Sequence, residues 1–598
     1  MSDTLVPREL VDFLLFDWLA LDKTLMRPEF AELDVGSMRA LLDLADRLAR
    51  DTFLPCYKLA DQHEPTLSAA GDVHVPAQTG AALRAYVEAG FLAAPFAPEH
   101  GGLGLPEQVQ LAATASFMAA NLAVSGYAML TVANARLLVA HATPAQIAAF
   151  VAPQLDGRAF GTMCLSEPQA GSSLADVRSR AVHERDDPLG GRYRLHGNKM
   201  WISGGDQDIT PNIHHLVLAK IPGADGSLPQ GTRGLSLFVV PKVLPDGQRN
   251  DVVVAGLNHK MGYRGTSNCL LNLGEGTRYT PDGHPGAVGY LIGAPGQGLA
   301  IMFHMMNEAR LGVGMGAAAV AMRAQALSVD YARTRVQGRL AGSAAPVPIA
   351  AHADVARQLT RQAALARAAL SIVLFCGALV DERDTAPTPQ ARTEADALLG
   401  LLTPAAKTWA SEWGLEVNAI AIQIHGGYGY TRDFDVEQLY RDQRLNPIHE
   451  GTTGIQGIDF IGRKILKEQG AGLAPLGRRI SATLTQAAGA GLAKEGKELG
   501  AAWEHFLSVV KALPDMTQAH WLGLATELLD GFGHVLAGWC LLDQAVLAQQ
   551  LGRRKDDPSR VLAAHFCASM LPQAHRAFDM VAKPQVPLID FTTTEGWP

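Results

Sequence analysis

The stretch Arg441–Gln456, RDQRLNPIHEGTTGIQ, sets the carboxylate of Glu450 directly before a Gly-Thr-Thr-Gly run. We predict that one helix ends before it and that another begins after it, with Thr452 or Thr453 as N-cap of the apolar helix that follows. Small residues let a bulky ligand approach the backbone, so an acid at this bend is well placed to be a general base. A structural acid favoured by the helix dipole is the alternative, and the stretch alone leaves both open.

The chain on either side of this stretch is predicted to be helical. Upstream, Thr403 is expected to cap a helix whose first residue is Pro404 and which stops at Gly426-Gly427. Before it, helical spacing covers Met302–Val336 and Asp354–Val380. Downstream, a linker at 468–477 leads to further helices, and TTTEGWP at the end is expected to be a tail.

Further towards the N-terminus the period of the apolar residues changes. Short β-type runs separated by Gly, Pro and Asp clusters occupy about 159–292, with a turn expected at His196-Gly197-Asn198. Helical spacing, as in Met38–Phe53, fills the region before them. The sequence therefore predicts an α+β multidomain protein: an N-terminal helical domain (1–158), a central antiparallel β barrel (159–292), a four-helix-type bundle (293–467) and an additional helical C-terminal domain (478–598).

Composition restricts the class of protein. The 598 residues are 48% hydrophobic and 18% charged, and the net charge of −8 implies no general attraction to nucleic acid. Six scattered cysteines without a CxxC pair indicate buried thiols, with no zinc or other metal site expected. We find no secretory signal and no apolar run expected to span a bilayer, Ala363–Val380 being the best candidate. We therefore expect a cytoplasmic protein.

Two loops in the β region suggest a cofactor. CLSEPQAGSS (Cys164–Ser173) offers backbone donors and hydroxyls, and KMWISGG (Lys199–Gly205) sets the indole of Trp201 beside the hydroxyl of Ser203. Together they are typical of a seat for a planar, phosphate-bearing cofactor such as a flavin. Either loop alone would be better explained by a core tryptophan or a serine-rich turn.

Seven motifs, in this order, resemble the acyl-CoA dehydrogenase family over about 80–470: CLSEPQAGSS, KMWISGG, KMGYRG (260–265), NEARLGVG (307–314), YARTRVQGR (331–339), QIHGGYGYTRD (423–433) and IHEGTTGIQ (448–456). The extra helical region resembles that of an enlarged subgroup of this family. We expect it to pack on its own subunit and to cover the surface that shorter relatives use to form tetramers.

The resemblance implies FAD as cofactor and assigns roles by position. The residues expected at the flavin ring are Met163, Leu165, Ser166, Trp201 and Ser203. Ser172 is expected near the FAD pyrophosphate or the CoA arm, and Thr452 on the phosphate side of FAD. Four further residues are expected to reach the FAD of a neighbouring subunit: Arg335, Gln337, Gln423 and Gly427. Such contacts imply a homodimer. Gln169, Ser173 and His449 depart from the commoner family residues, which affects the details of the FAD contacts more than the reaction.

The implied reaction is dehydrogenation of an acyl-CoA thioester to trans-2-enoyl-CoA, an oxidation of a CH–CH bond. Glu450 would take the α-proton, the flavin would take the β-hydride, and an electron-transfer flavoprotein would accept the electrons. Arg310 and Gly451 would help to bind the acyl-CoA. Some relatives carry the base just before the arginine matching Arg310; here that residue is Ala309, and Glu308 is the alternative base.

Other functions of similar sequences remain as alternatives. An acyl-CoA oxidase has a similar layout and would pass its electrons to O2. A non-catalytic, nucleic-acid-binding flavoprotein relative would want a basic C-terminal region, whereas the charges here are roughly balanced. A nitroalkane oxidase would want aspartate at position 450.

Overall fold

A central β region separates two helical regions of the chain, and a third helical region follows in the computed structural model, which describes residues 4–342, 344–554 and 556–583. The predicted tail lies outside the described residues. The N-terminal helices are α1 (Arg8–Asp12), α2 (Leu21–Leu25), α3 (Val35–Leu48), α4 (Tyr57–Gln62), α5 (Ala77–Glu88), α6 (Glu107–Ala120), α7 (Leu122–His141), α8 (Pro144–Gln146) and α9 (Ala152–Leu155), with a short ribbon of β1 (Thr66–Leu67) and β2 (Val73–His74).

The helix predicted over Met38–Phe53 is present but begins earlier. Asp34 accepts a hydrogen bond from the Ser37 backbone N–H while the Ser37 hydroxyl serves the Asp34 N–H, a capping box that fixes the start of α3. The helical path continues past α3 through a π-helical turn, Ala49–Phe53. Local capping chemistry therefore places this N-terminus three residues before the first apolar position of the pattern.

The β region forms one eight-stranded sheet in the order β10-β7-β6-β4-β5-β9-β8, with β10 also pairing β5. Its strands are β3 (Ala159–Cys164), β4 (Arg180–Asp187), β5 (Gly190–Ser203), β6 (Asn212–Lys220), β7 (Leu235–Pro241), β8 (Val252–Leu257), β9 (Asn268–Leu273) and β10 (Ala287–Ile292). β3 lies off this path and pairs β6 in parallel, so the prediction of a purely antiparallel region is wrong. The long helical connection expected for a parallel pair is replaced here by the chain through β4 and β5.

The turn predicted at His196-Gly197-Asn198 is also wrong, because β5 runs straight through it. Gly197 has a φ of 148°, and a Cβ there would lie 2.3 Å from the Ser179 hydroxyl oxygen. The glycine permits a close approach within a strand that pairs β4 on one side of this point and β9 on the other.

The helices after the sheet are α10 (Gly298–Thr334), α11 (Ala353–Thr385), α12 (Pro389–His425), α13 (Val436–Gln443) and α14 (Thr453–Ile458), the last continuing as a π-helix, Asp459–Lys467. The predicted helix start at Thr403-Pro404 is wrong: Thr388 caps α12, and Pro404 lies inside it. The Thr403 hydroxyl instead donates to the carbonyl of Leu399 at 2.7 Å. Packing of a 37-residue buried helix has overridden the local signal that proline gives.

The last helices pack against this bundle on their own chain, as predicted. They are α15 (Leu473–Gly489), α16 (Ala493–Ala512), α17 (Gln518–Gly523), α18 (Ala525–Gln550), α19 (Pro558–Ser569) and α20 (Pro572–Ala582). Trp413 of α12 donates from Nε1 to Asp530 at 2.8 Å, and Trp18 donates likewise to Asp543 at 2.8 Å. Buried contacts therefore join α18 to both earlier helical regions.

Three described helices are long and apolar enough to cross a membrane by length and composition, although the sequence analysis expected none: Leu122–His141, Ala353–Thr385 and Ala525–Gln550. Their most apolar windows are 72%, 83% and 89% buried inside the protein, respectively. The apolar residues of these helices therefore pack in the protein core. The six cysteines are buried, as predicted.

Candidate functional site

The loop that carries Glu450 is a left-handed turn between two helices. It lies between the end of α13 and the start of α14, and the Thr452 hydroxyl caps α14 by accepting from the Ile455 N–H at 3.3 Å. Glu450 and Gly451 have φ values of 53° and 88°. A left-handed conformation costs a residue other than glycine roughly 1–2 kcal/mol, so the surrounding structure must hold Glu450 in place.

Side chains from two helices hold this turn through its carbonyl groups. Gln456 of α14 donates from Nε2 to the Glu450 carbonyl at 3.0 Å. Lys407 of α12 donates from Nζ to the Gly451 carbonyl at 2.8 Å. The φ of 88° favours glycine at position 451, and a Cβ there would lie 2.7 Å from Gln456 Nε2, so it would displace this donor.

The electrostatics around Glu450 suit a group that exchanges a proton near neutrality. Burial raises the pKa of its carboxyl to about 7, although the positive charges of Arg310 and Lys407 act to lower it. Arg310 is 3% exposed and lies 3.4 Å from Asp459, and its Nε has no hydrogen-bond partner within the described ranges. Part of the Glu450 surface remains accessible, as a base that meets a substrate requires.

The KMGYRG segment lies against the same turn. The Tyr263 backbone N–H donates to Asp442 Oδ1 at 2.7 Å, and its hydroxyl donates to Asn446 Oδ1 at 3.1 Å. The Tyr263 ring packs edge-on against His449, with 5.7 Å between ring centroids. Burial lowers the pKa of His449 to about 3, so this imidazole is neutral and does not compete with Glu450 for a proton at neutral pH.

The two predicted flavin loops meet through a buried ion pair. Lys199 Nζ lies 2.9 Å from Glu167 and donates to the Leu165 carbonyl at 3.1 Å. The Met200 N–H donates to the Ser166 carbonyl at 3.0 Å. Burial raises the pKa of Glu167, but Lys199 and hydrogen bonds from residues 178 and 179 lower it to about 2, so this carboxylate is ionised at neutral pH.

A β-bulge turns Trp201 outward at the end of β5. The register between β5 and β9 shifts between Lys199 and Ile202, and Trp201 has a φ of 65° and is 58% exposed. Bulges near active sites commonly re-aim a side chain in this way. Two residues on, the Ser203 hydroxyl accepts a hydrogen bond from Asn268 Nδ2 at 3.2 Å. Ser172, in the first loop, is exposed.

The four residues assigned to a neighbouring subunit's cofactor share one exposed face. Arg335 donates to Gln337 Oε1 at 3.2 Å, and its guanidinium lies 5.6 Å from the centre of the Tyr428 ring. Tyr428 follows Gly427 in the turn after α12, where the Gly426 N–H donates to the Gln423 carbonyl. This group is thus formed by the ends of α10 and α12.

A pocket beside α10 encloses a cavity of about 60 Å³. Its walls are mostly apolar side chains of α6, α7 and α10, for example Phe117 and Met129. Polar lining comes from an ionic cluster in which Arg136 lies 2.7 Å from Glu107 and 3.5 Å from Glu308. Burial raises the pKa of Glu308 to about 7 even though Arg136 acts to lower it.

Several residues that position the site were not identified from the sequence. Lys407 lies between Ala406 and Trp409 in a largely apolar part of α12, and a lysine in such surroundings was the available signal. Gln456, Tyr263 and the Glu167–Lys199 pair act through contacts that are remote in sequence or carry no local pattern, so no spacing rule could have found them.

Comparisons with known proteins decide the family. Residues 162–274 match the acyl-CoA dehydrogenase middle domain, 296–466 the acyl-CoA dehydrogenase C-terminal domain, and 476–592 the acetyl-CoA dehydrogenase C-terminal-like domain. The 3-methylmercaptopropionyl-CoA dehydrogenase of Ruegeria pomeroyi is 34% identical over 87% of this chain and 87% of its own. The chain belongs to the acyl-CoA dehydrogenase family. The resemblance seen in the motifs is thereby confirmed.

Other relatives of this acyl-CoA dehydrogenase family member agree. The broad-specificity linear acyl-CoA dehydrogenase FadE5 of Mycobacterium tuberculosis is 32% identical over 90% of this chain and 89% of its own. Among solved structures, Caenorhabditis elegans ACDH-11 in complex with C11-CoA has a TM-score of 0.76 at 20% identity, covering 96% of this chain and 93% of that one. A Bacillus anthracis acyl-CoA dehydrogenase complexed with FAD has a TM-score of 0.74 at 21% identity, covering 97% and 92%.

These similarities confirm the coarse predictions. The two structural likenesses show the fold, an α+β arrangement rich in helices with a β-sheet domain. The family consists of FAD-dependent oxidoreductases that act on acyl-CoA. The domain boundaries and the role of each site residue stay predictions.

Proposed function

We propose that this protein is an FAD-dependent dehydrogenase that converts an acyl-CoA thioester to the trans-2-enoyl-CoA, with Glu450 as the catalytic base. The observation that carries the proposal is the Glu450–Gly451 turn, clamped by Lys407 and Gln456 and facing the buried Arg310. A clamped carboxylate of raised pKa is what proton abstraction next to a thioester requires.

The residues near the end of β5 fit a flavin. Trp201 presents a flat apolar surface that is 58% exposed, and the β-bulge with its φ of 65° aims this indole outward, where it could flank a flavin ring. Met163, Leu165, Ser166 and Ser203 would hold the ring, and the remaining family positions, Ser172 and Thr452, would lie near the phosphates or the CoA arm. When bound, FAD would be the acceptor of the hydride from the β-carbon.

The chain itself supplies the proton chemistry. Glu450 takes the weakly acidic α-proton, and a carboxyl with a pKa of about 7 is a stronger base than an ordinary glutamate. The backbone N–H of Glu450 has no hydrogen-bond acceptor among the residues that the structure describes, so it is available to the thioester oxygen, where negative charge develops. Arg310 and Gly451 would help to place the acyl-CoA at this point.

The pocket beside α10 is the natural place for the acyl chain. Ala309 and Gly312 line it, and they flank Arg310, whose charge acts on Glu450. Apolar walls favour a hydrocarbon chain. The Arg136 ionic cluster would oppose deep entry of a long chain, because separating its buried ions leaves charges uncompensated.

Assembly and electron transfer complete the proposal. The face of Arg335, Gln337, Gln423 and Gly427 also exposes Tyr430 by 88%, and we infer that a second copy covers it in a homodimer. An electron-transfer flavoprotein would accept the electrons. Peroxide release in air would instead identify an acyl-CoA oxidase, and size-exclusion chromatography with light scattering tests the dimer.

The deciding experiment is anaerobic titration of the FAD-loaded protein with a panel of acyl-CoA thioesters. At least one should bleach the flavin absorbance and yield a 2-enoyl-CoA. The panel member that bleaches at the lowest concentration identifies the preferred chain. Purified protein that cannot be loaded with FAD, or that is not bleached by any thioester, would contradict the proposal.

A further inference from the structure

Lys407, one of the two side chains that clamp the Glu450–Gly451 turn, is also a buried cation. It lies in the middle of α12, and its side chain is fully buried, with 0% exposure. Removing an ammonium from water costs several kcal/mol unless charges and hydrogen bonds compensate it. A lysine at such a position therefore needs a specific partner.

Its hydrogen-bond partner is the turn that carries the base. Lys407 Nζ donates to the Gly451 carbonyl at 2.8 Å, and no carboxylate within the described ranges lies within 4.0 Å of this ammonium. Burial lowers the pKa of Lys407 to about 8, and the negative charges that act against this shift are Glu450 and Glu412. The ammonium therefore has one direct hydrogen bond, to a backbone carbonyl, and longer-range electrostatic attraction to these two acids.

The other charged groups around it have partners of their own. Arg310 of α10 is engaged with Asp459 at 3.4 Å. Glu412, farther along α12, accepts a hydrogen bond from the Thr453 hydroxyl. His449 is neutral, its pKa lowered by burial and by Lys407. Neither Glu450 nor Glu412 has an ion pair within the described residues, but Glu412 is held by the Thr453 hydroxyl, whereas the charge of Lys407 acts to lower the pKa of Glu450.

We propose that Lys407 is a positioning residue for Glu450: its ammonium holds the Gly451 carbonyl, and with it the left-handed turn, while its charge favours the ionised carboxylate that accepts the α-proton. This inference rests on the proposed role of Glu450. Two effects are combined in one side chain, and variants that keep one and remove the other separate them.

The test is the pH dependence of kcat/KM for the FAD-loaded, full-length Lys407→Met variant. Methionine has nearly the same length but neither the charge nor the donor. Without the positive charge the acid limb of the profile should move up by about one pH unit. The rate should fall about tenfold below pH 7 and recover at higher pH. A purely structural role would lower the rate equally at all pH values and leave the limb in place.

Three further variants complete the test. Lys407→Gln keeps a donor without the charge and should shift the limb as far as Lys407→Met; it decides the outcome if the methionine variant does not fold. Lys407→Arg keeps the charge and should leave the limb at its wild-type position. Lys464→Met is the matched control. Lys464 Nζ lies 3.0 Å from Glu468 and, among the described residues, does not contact the Glu450–Gly451 turn, so its loss should leave the pH profile unchanged.

Two results would overturn the inference: an unmoved limb in the methionine and glutamine variants, or an arginine variant shifted as far as they are. A fully active Glu450→Gln enzyme would instead overturn the proposed base, and with it the basis for this test. The two failures are therefore distinguishable.

Discussion

Glu450 and Glu308 are both acids whose pKa burial raises to about 7, but their surroundings differ. Glu308 lies on the regular helix α10, 3.5 Å from an arginine, Arg136, that also binds Glu107 at 2.7 Å. Glu450 lies on a left-handed turn whose carbonyls are held by side chains of two helices; of the two cations near it, Lys407 holds the Gly451 carbonyl and Arg310 pairs with Asp459.

The difference teaches that a raised pKa does not by itself identify a base. Desolvation raises both values, and structural ion-pair clusters produce such shifts as readily as active sites do. Glu450 differs in its backbone: it lies on a left-handed turn that hydrogen bonds from Lys407 and Gln456 hold in place. Glu308 needs no such support because its helix positions it.

The largest expected effect comes from Glu450→Gln. The amide cannot accept the α-proton, so flavin reduction by acyl-CoA under anaerobic conditions should slow by about 10²–10⁴-fold, the usual contribution of a general base. Stopped-flow absorbance measures it. Glu308→Gln is the matched control and should stay within about tenfold of the wild type. The reverse result, a slow Glu308 variant and a fast Glu450 variant, would move the base to α10.

The second largest effect is on stability. Arg136→Met removes the guanidinium that pairs with Glu107 and Glu308, and breaking a buried ion pair by removing one partner costs about 3–5 kcal/mol. Thermal unfolding should show the loss, while protein that stays folded at low temperature should keep most of its rate of flavin reduction. Unchanged stability would mean that the cluster is solvated and does not close the pocket.

Local pattern was sufficient to predict the parts of the fold that depend on nearby residues. The Thr452 cap and the helix over Met38–Phe53 follow from spacing and capping chemistry. The helix expected to end before Arg441–Gln456 instead extends to Gln443, inside that stretch. Pro404 and Gly197 were misinterpreted for one common reason. Each is a strong local breaker, but buried neighbours favour continuation of the helix or strand through it.

The candidate site divides in the same way. Glu450 was found because it stands alone before a glycine and a helix N-terminus. Lys407, whose partner lies 44 positions away, and the Glu167–Lys199 pair, separated by 32 positions, depend on long-range geometry that no spacing rule contains. The parallel pairing of β3 with β6 is of this kind too, since the register of a strand with a distant partner is set by the whole sheet.

The third prediction concerns stability as a function of pH, and it treats the two acids alike. In the folded protein each pKa is raised from 4.5 to about 7, so the stability present below pH 4.5 is lost as pH rises through 7. Glutamine cannot ionise. Relative to the wild type, both Glu450→Gln and Glu308→Gln should therefore become more stable between pH 5 and pH 8, by about 1–3 kcal/mol. Denaturant unfolding midpoints at pH 5 and pH 8 measure this difference in stability. If a variant instead became less stable relative to the wild type as pH rises, its acid would be stabilised in the ionised form.

The smallest effect tests the support of the turn. Gln456→Met removes the donor to the Glu450 carbonyl, a hydrogen bond of 3.0 Å, at a cost of about 1 kcal/mol. If that energy holds the base in its working position, kcat should fall about fivefold with FAD content unchanged, because 1.4 kcal/mol corresponds to about tenfold. Gln110→Met is the matched control on the side of Glu308, where the Gln110 amide nitrogen donates to the Thr114 hydroxyl at 3.4 Å. Equal losses in the two variants would mean that the turn does not depend on this bond, and that the contrast between a supported base and a helix-borne acid is weaker than the geometry indicates.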